Sequence, residues 1–480
     1  MIVRWYIFGL FLIFSLVLMI VYGFPTIRKV KEKSLDYTGH IYAPDMIPAA
    51  IVFIFLFSFV IEQLSLVDTV WGIFFPILFD LSTYFLVCIL ILPLLRKRVS
   101  GKFCAAVWIL PNIMYLFAYP SYRPVPDIIV SVGRYAEVLA WVWGAGFVLV
   151  LGMHIASHLK FRSRLLENSV YVEDERVLEI WKEELDFSKV NQNEKLLQIS
   201  SQVKAPLTIG LFKRSTVLLL PHLNYTEEQL RVIFRHELVH LNKRDNASKY
   251  FMVFCNAICW FNPLMWKAMK LCAEDMERSC DEAVLYDADE SERKQYAELI
   301  LDTCAESKGF STCLSASSNS LRYRLKRIVH PVKSRLEGLI LALLLLSMAW
   351  FGGRVAFSYE SGPMTAIRLD EEKSILKIDG IYKEDHLLWL DISERFEIDR
   401  PEQFLEYLST LKTETMSWVY SYSMQSELSM AVVFEDTRVS LEIKEIDDGL
   451  LIKEQYRPEK MDVVYLVRGV TLEEFVSHLN

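Results

Sequence analysis

Six stretches of this chain are apolar for long enough to cross a lipid bilayer, and nothing else in the sequence limits its fold so strongly. A spanning helix needs roughly 20 consecutive apolar residues. Backbone inside hydrocarbon must also satisfy its hydrogen bonds within its own segment. The stretches are Trp5–Phe24, Ile47–Glu62, Val67–Leu95, Phe103–Pro120, Val138–Ala156 and Leu336–Gly353. The first has the position of a signal peptide, but no small-x-small cleavage site follows its Gly-Phe-Pro exit, so a retained helix is expected. Glu62, ending the second, and Asp80, within the third, are expected to face protein or the interface rather than lipid. A mean hydropathy of +0.24 beside 23% charged residues fits apolar spans alternating with globular segments.

Loop charges orient these spans. Arg28, Lys29, Lys31 and Lys33 follow the first; Arg96, Lys97, Arg98 and Lys102 follow the third; Lys160, Arg162 and Arg164 follow the fifth. Residues 63–66 hold no Lys or Arg, and 121–137 hold only Arg123 and Arg134. With basic loops on the cytoplasmic side, the N-terminus lies outside. The expected layout is a five-helix transmembrane domain over 1–158, a cytoplasmic domain over 159–333, a sixth helix over 334–353 and an extracytoplasmic domain over 354–480. The net charge of −8 is spread along the chain without a basic block, which argues against direct nucleic-acid binding. None of the 8 cysteines lies beyond Cys313, so the last domain has no disulfide. Their spacings do not suit a zinc knuckle, and buried free thiols are expected.

Within the cytoplasmic stretch, Ser215–Leu220 is aliphatic and β-branched and closes at Pro221, which predicts a strand. Thr226 with Glu228 and Gln229 behind it predicts a helix start. That helix carries Leu230, Ile233, Phe234 and Leu241 at helical spacing and runs through His236 to about Asn242. Tyr250–Met269 is apolar but interrupted by Asn256, Asn262, Pro263 and Lys267. A buried or membrane-grazing helical hairpin is expected there, because a crossing would put the two halves of the site described next on opposite faces of the membrane. The last domain reads as α+β, with alternation over Ser374–Asp379 and Leu387–Ile392 and helices over Pro401–Leu411 and Leu472–Leu479.

The segment His236-Glu237-Leu238-Val239-His240 sets two imidazoles one helical turn apart on one face, which suits two ligands of a tetrahedral zinc ion. Glu237, beside the first, is placed to take a proton from a water attacking a scissile carbonyl and pass it to the leaving amine. With 9 His and 60 acidic residues in the chain, chance yields such a pattern in roughly one sequence in a hundred. A catalytic zinc keeps three protein ligands and one open position, so the third ligand is sought on a second helix. Glu274, Glu277 and Asp281 share one helical face downstream, and periodicity does not choose between Glu274 and Glu277. His154 and His158 are also four apart, but no acid adjoins the first, and they read as satisfied interfacial histidines.

Several of these stretches, in this order and spacing, resemble the bacterial Bla/Mec-type antirepressor receptor metallopeptidases (peptidase family M fifty-six). They are Pro206–Gly210, Ser215–Pro221, Phe234–Asp245, Trp260–Trp266, Asp275–Leu285, Tyr296-Ala297 and Arg327-Ile328. The resemblance implies that the acidic ligand is Glu277, four residues before the Asp of the Cys-Asp pair, and that Asp281 braces a ligand histidine. It implies a supporting part for Asp245, for which a helix-cap role is equally open. It also implies a cytoplasmic transcriptional repressor as substrate and a homodimer. Ser374-Ile375-Leu376-Lys377 formally matches Ser-x-x-Lys, but it lies in a strand-like run with no Lys-Thr-Gly after it, so β-lactam sensing is not carried over.

The expected fold is a polytopic α-helical membrane protein with a mostly helical, gluzincin-like cytoplasmic zinc domain and a small extracytoplasmic α+β domain. The expected function is that of a signal-transducing receptor protease bound to the lipid bilayer, dependent on Zn2+. It would cleave itself, a repressor, or both, with Ser307–Ser320 as a candidate self-cleavage loop or an ordinary linker. A membrane quality-control protease and a non-catalytic signalling scaffold are the alternatives; the external domain speaks against the first and the intact Glu237 against the second.

Overall fold

The computed structural model describes residues 67, 70–110, 126–188, 196–210, 215–222, 225–306, 318–330, single positions from 337 to 344, and 355–478 with interruptions at 361–374, 385–391, 398–400, 417–426, 435–437 and 458–462. The first two apolar segments, most of the sixth, the end of the fourth and the segment 307–317 lie outside these residues.

The early helices are α1 (Phe75–Leu95), which a single π-turn precedes, α2 (Gly101–Ile109) and α3 (Ala136–Leu166), with strand β1 (Ile128–Ser131) before α3. Next come β2 (Val170–Tyr171), α4 (Glu175–Ser188), β3 (Leu197–Ile199), β4 (Leu207–Ile209) and β5 (Val217–Leu220). The helices α5 (Glu227–Lys243), α6 (Asp245–Ile258), α7 (Pro263–Val284), α8 (Glu290–Glu306) and α9 (Ser318–Val329) follow. Among the described residues, Phe75–Leu95 and Gly133–Leu166 are long and apolar enough to cross a membrane, with mean hydropathies of 2.3 and 1.9.

The chain divides into two compact units, one of residues 1–54, 82–113 and 145–346, the other of 55–81, 114–144 and 347–480. In the first, β2, β3, β5 and β4 form a four-stranded sheet in that order, with β4 at one edge. The strand expected over Ser215–Leu220 is β5, beginning at Val217. The expected helix start at Thr226 is present as a capping box: its hydroxyl accepts from Gln229 N–H while the Gln229 side chain accepts from Thr226 N–H. Such a cap contributes about 1 kcal/mol. One face of α5 buries Leu230, Ile233, Phe234 and Leu238 against α4, where Phe234 meets Trp181 edge-on at 5.0 Å. On its flank, Arg235 grips buried Glu184 through two bonds of 2.7 and 3.1 Å.

The apolar run over Tyr250–Met269 is a hairpin, α6 and α7 joined by Cys259–Asn262, with Asn262 capping α7 and Pro263 as its first residue. Its tip meets two of the apolar helices. Asn262 donates to Ser82 Oγ of α1 at 2.7 Å, and a Cβ on Gly146 of α3 would collide with Trp260. His154 of α3 bonds Asn256 Oδ1 at 3.1 Å and stacks near Trp266, which accounts for it as a packing histidine. The turn between α1 and α2 is fastened to α7: Arg96 and Trp108 both donate to Asp275 Oδ2 (2.6 and 2.7 Å), and Gly101 N–H donates to Glu282 (2.6 Å). Ser100 N–H donates to Glu337 at 2.7 Å.

The second unit is built on a nine-stranded sheet. Its strands beyond β1 are β6 (Val355–Glu360), β7 (Ile375–Glu384), β8 (Ile392–Glu397), β9 (Thr413–Met416), β10 (Leu428–Phe434), β11 (Arg438–Ile446), β12 (Gly449–Arg457) and β13 (Val463–Arg468). The order is β1-β6-β9-β13-β12-β11-β10-β7-β8. Two helices, α10 (Pro401–Thr410) and α11 (Leu472–Ser477), cover one face through Phe404, Leu408 and Phe475. The α+β class and both helices agree with the sequence reading. Of the alternation expected over Leu387–Ile392, residues 387–391 lie outside the described residues, and Ile392 opens β8. Strand β1 pairs in parallel with β6, Ile128 opposite Val355, so the segment before α3 and the segment before β7 share one sheet.

Candidate metal centre

His236 and His240 lie on the same face of α5, their Nε2 atoms 3.1 Å apart. Glu277 of α7 faces both, with Oε2 3.7 Å from His236 Nε2 and Oε1 3.7 Å from His240 Nε2. A tetrahedral ion with bonds of about 2.0–2.2 Å holds its ligand atoms roughly 3.3–3.6 Å apart, and the separations of 3.1 and 3.7 Å bracket that range. Of the two acids that periodicity leaves open, the structure brings Glu277, not Glu274, into the cluster with the two imidazoles. Lys243 fixes the rotation of α7 that achieves this, donating from buried Nζ to both the carbonyl and the hydroxyl of Ser279 at 2.7 Å.

The outer nitrogens of both rings are held. His240 Nδ1 lies 2.7 Å from Asp245 Oδ2, and His236 Nδ1 lies 2.9 Å from the Tyr296 hydroxyl. With Nδ1–H donating in each ring, two Nε2 lone pairs face each other at 3.1 Å, an arrangement that calls for a cation between them. The donor set therefore fits a divalent ion, and in a metal-free site a proton takes its place. Burial is the largest influence on His240 and works against a charge there. Cys280, Glu277 and Asp245 together outweigh it and hold the imidazole well above its usual range. Burial likewise favours neutral Glu277, but the two imidazoles and Lys249 prevail and keep its carboxyl ionised well below the usual range.

Asp245 opens α6 directly after Arg244, a non-glycine residue in the left-handed region (φ 56°) that ends α5. That turn swings the Asp245 carboxylate back onto the outer nitrogen of His240. Cys280 lies 3.2 Å from both Asp245 Oδ2 and His240 Nδ1. Burial pushes its thiol up to about 11, so it serves as a neutral donor to Asp245, although His240, Asp245 and Cys280 also stand close enough to chelate. Asp281 braces His236 only through an intermediary: its Oδ1 is 3.7 Å from Nδ1, too far for a hydrogen bond, and Tyr296 bridges the two.

Glu237 is buried, and Thr208 of edge strand β4 donates to its Oε2 at 2.6 Å. Beyond Thr208, Gly210 has φ 133° and its Cβ would lie 2.5 Å from the Ser215 carbonyl, so only glycine fits, and its own carbonyl accepts from Asn246 of α6 at 3.0 Å. Two cations flank Glu277: Lys249 Nζ at 3.6 Å from Oε1 and Arg324 Nη1 at 3.7 Å from Oε2.

Comparison with known proteins adds to this geometry. Residues 126–328 match the family model described as BlaR1 peptidase M56. Over that stretch the chain is similar to the Bla/Mec-type peptidase M56 family. It is similar to the regulatory protein BlaR1 of Bacillus licheniformis, 30% identical over 193 residues, which are 39% of this chain and 31% of the relative. The methicillin resistance mecR1 protein of Staphylococcus aureus strain Mu50 is 28% identical over 171 residues, 35% of this chain and 28% of that one. The matched stretch thus spans less than a third of either curated relative. The M56 region contains every residue of the centre, from Thr208 to Arg324.

Thr208, Tyr296 and Arg324 were not among the residues singled out from sequence as site residues. Thr208 and Tyr296 stand within the resemblance, which is the one signal that could have pointed to them. Arg324 carries no local pattern.

Proposed function

We propose that this chain is a membrane-embedded, zinc-dependent endopeptidase that converts an extracellular event into cleavage of itself, of a cytoplasmic transcriptional repressor, or of both. The observation that carries the reading is the convergence of His236 Nε2, His240 Nε2 and Glu277 beside Glu237, with both outer ring nitrogens already committed. Zinc held there supplies Lewis acidity, polarising a scissile carbonyl and bringing the pKa of water to about 7. Glu237 takes the proton of the attacking water and later delivers it to the leaving amine. Thr208 holds Glu237 in place by donating to one oxygen, which leaves the other free for that transfer.

The membrane placement has its own support. Ser82, which Asn262 of the hairpin tip meets, lies thirteen residues before Leu95 at the other end of α1, about 20 Å along the helix. If α1 spans, the hairpin enters the bilayer from the basic side without crossing it. The pairing of β1 with β6 favours a common compartment for the loop before α3 and the C-terminal unit, as the loop charges require. The repressor comes from the family resemblance, and the names of the relatives associate such proteins with regulation and with methicillin resistance.

The test compares cells carrying the wild-type chain with cells carrying Glu237→Gln, both with a C-terminal tag. Expected are shortened forms of the chain or of a DNA-binding protein in the first and none in the second, with zinc retained in both purified proteins. Identical protein patterns under every stimulus, with zinc bound, would favour the scaffold instead.

A further inference from the structure

Four helices meet behind His236. Tyr296 of α8 is 4% exposed and Asp281 of α7 is 2% exposed. Arg324 of α9 clamps Asp281 with a two-pronged guanidinium, Nε to Oδ2 at 2.5 Å and Nη2 to Oδ1 at 2.7 Å. The Tyr296 hydroxyl reaches Asp281 Oδ1 at 2.7 Å and His236 Nδ1 at 2.9 Å.

The direction of every proton in this chain follows from its outer end. Arginine has donors only, and a carboxylate so clamped accepts only. The phenol has a single proton, which Asp281 takes. Its oxygen can then only accept from His236, so Nδ1 carries the hydrogen and Nε2 turns its lone pair to the metal.

We infer that Tyr296 is a positioning residue of the metal centre, fixing the tautomer and orientation of His236, with Asp281 and Arg324 fixing Tyr296 in turn; the inference rests on the metallopeptidase reading above. The two ligand histidines are consequently supported unequally. His240 is backed directly by the Asp245 carboxylate, whereas a neutral phenol separates Asp281 from His236. An anion on the outer nitrogen makes an imidazole a stronger electron donor than a phenol does. The phenol therefore keeps one carboxylate's charge a bond further from the ion, which retains more of its acidity towards water and carbonyl.

The test uses full-length protein in detergent, with zinc affinity read by competition with a chromophoric chelator and ligand geometry read from the visible spectrum of the cobalt-substituted form. Tyr296→Phe removes the oxygen and keeps the ring. It is expected to weaken zinc binding about 10- to 100-fold and to shift the cobalt bands. Arg324→Lys keeps a cation but loses the fork, and should weaken zinc in the same direction by less. Wild-type affinity and an unchanged cobalt spectrum in Tyr296→Phe would overturn the assignment, whatever happens to peptidase activity. If Tyr296→Phe fails to fold, Arg324→Lys decides alone, and unaltered zinc affinity there overturns it equally. A wild-type protein that takes up no zinc would sink the metallopeptidase reading itself, a result distinct from either.

Discussion

The two units of this protein bury different things. The sheet unit is held by an apolar core, with Ile378, Phe404, Leu441, Ile452 and Phe475 among its enclosed side chains, and among its described residues only Lys453 and Glu454 are charged and buried. The other unit encloses Glu184, Glu237, Lys243, Asp245, Asp275, Arg278, Asp281 and Arg327. Buried charge is costly unless paired, and a well-packed apolar group of the same volume is often as good or better for stability. A unit that keeps eight such groups keeps them for something other than stability. Among them, Asp245 holds the outer nitrogen of His240 directly, Asp281 reaches that of His236 through Tyr296, Lys243 binds Ser279 of α7, and Asp275 ties α7 to the turn after α1.

The sharpest way to separate the units is to remove function from one without touching stability in either. Glu237→Gln should lower proteolysis of a repressor or of the chain itself by about 10²–10⁴-fold, the usual contribution of a general base, while zinc content and the melting curve stay unchanged. A rate within a few fold of wild type would assign the base to another residue.

Stability variants come next in size, and here the two units should answer alike in magnitude but not in cause. Phe475→Ala in the sheet should cost about 3–5 kcal/mol and leave zinc affinity as it was. Asp275→Leu should cost a similar ~3–5 kcal/mol by stranding Arg96, Arg278 and the Trp108 N–H in the interior. Adding Arg96→Met and Arg278→Met should recover most of that loss, whereas no second substitution of a charge rescues Phe475→Ala. Denaturation in detergent with zinc titration of each variant measures both effects. A triple variant no more stable than Asp275→Leu would mean that packing, rather than stranded charge, governs both units.

The same contrast explains what could be read from sequence. Features with a local period were legible: the stripe through Leu230, Ile233 and Phe234, the cap at Thr226, the His236–His240 spacing, and the alternation over Ser374–Asp379. The choice between Glu274 and Glu277 was not, because both lie on one face of α7 and their rotation is set by a bond from Lys243, 36 positions away. Thr208, Tyr296 and Arg324 act across 29, 60 and 43 positions, one residue at a time, and no local periodicity announces them. The pairing of Ile128 with Val355 is likewise silent in sequence, since parallel neighbours are joined by tertiary contact alone. The C-terminal unit, whose core is apolar and periodic, was the easier of the two to classify and tells least about what the protein does.

A pH titration tests whether the peptidase unit's charges serve the metal. In the metal-free protein the pKa of His240 is raised well above the ordinary imidazole value of about 6.5, and proton and zinc compete for Nε2. Zinc affinity should therefore fall about tenfold for each pH unit below that raised value and level off above it. The metal-free fold has the opposite dependence. A raised pKa contributes stability that is fully present below the unfolded value of about 6.5 and is lost as pH rises through the folded one. Chelator competition and denaturation across a pH series should show the two slopes with opposite signs, and parallel slopes would remove His240 from the site.

The smallest expected effect concerns the turn between α5 and α6. Arg244 has φ 56° and ψ 39°, a conformation that costs a residue with a Cβ roughly 1 kcal/mol and glycine almost nothing. Arg244→Gly should thus raise stability by up to about 1 kcal/mol, less whatever entropy the freer unfolded chain regains. If the turn exists to aim Asp245 at His240, the variant keeps that aim and zinc affinity holds steady. Loss of affinity without loss of stability would mean instead that the arginine side chain, and not the backbone it bends, supports the centre.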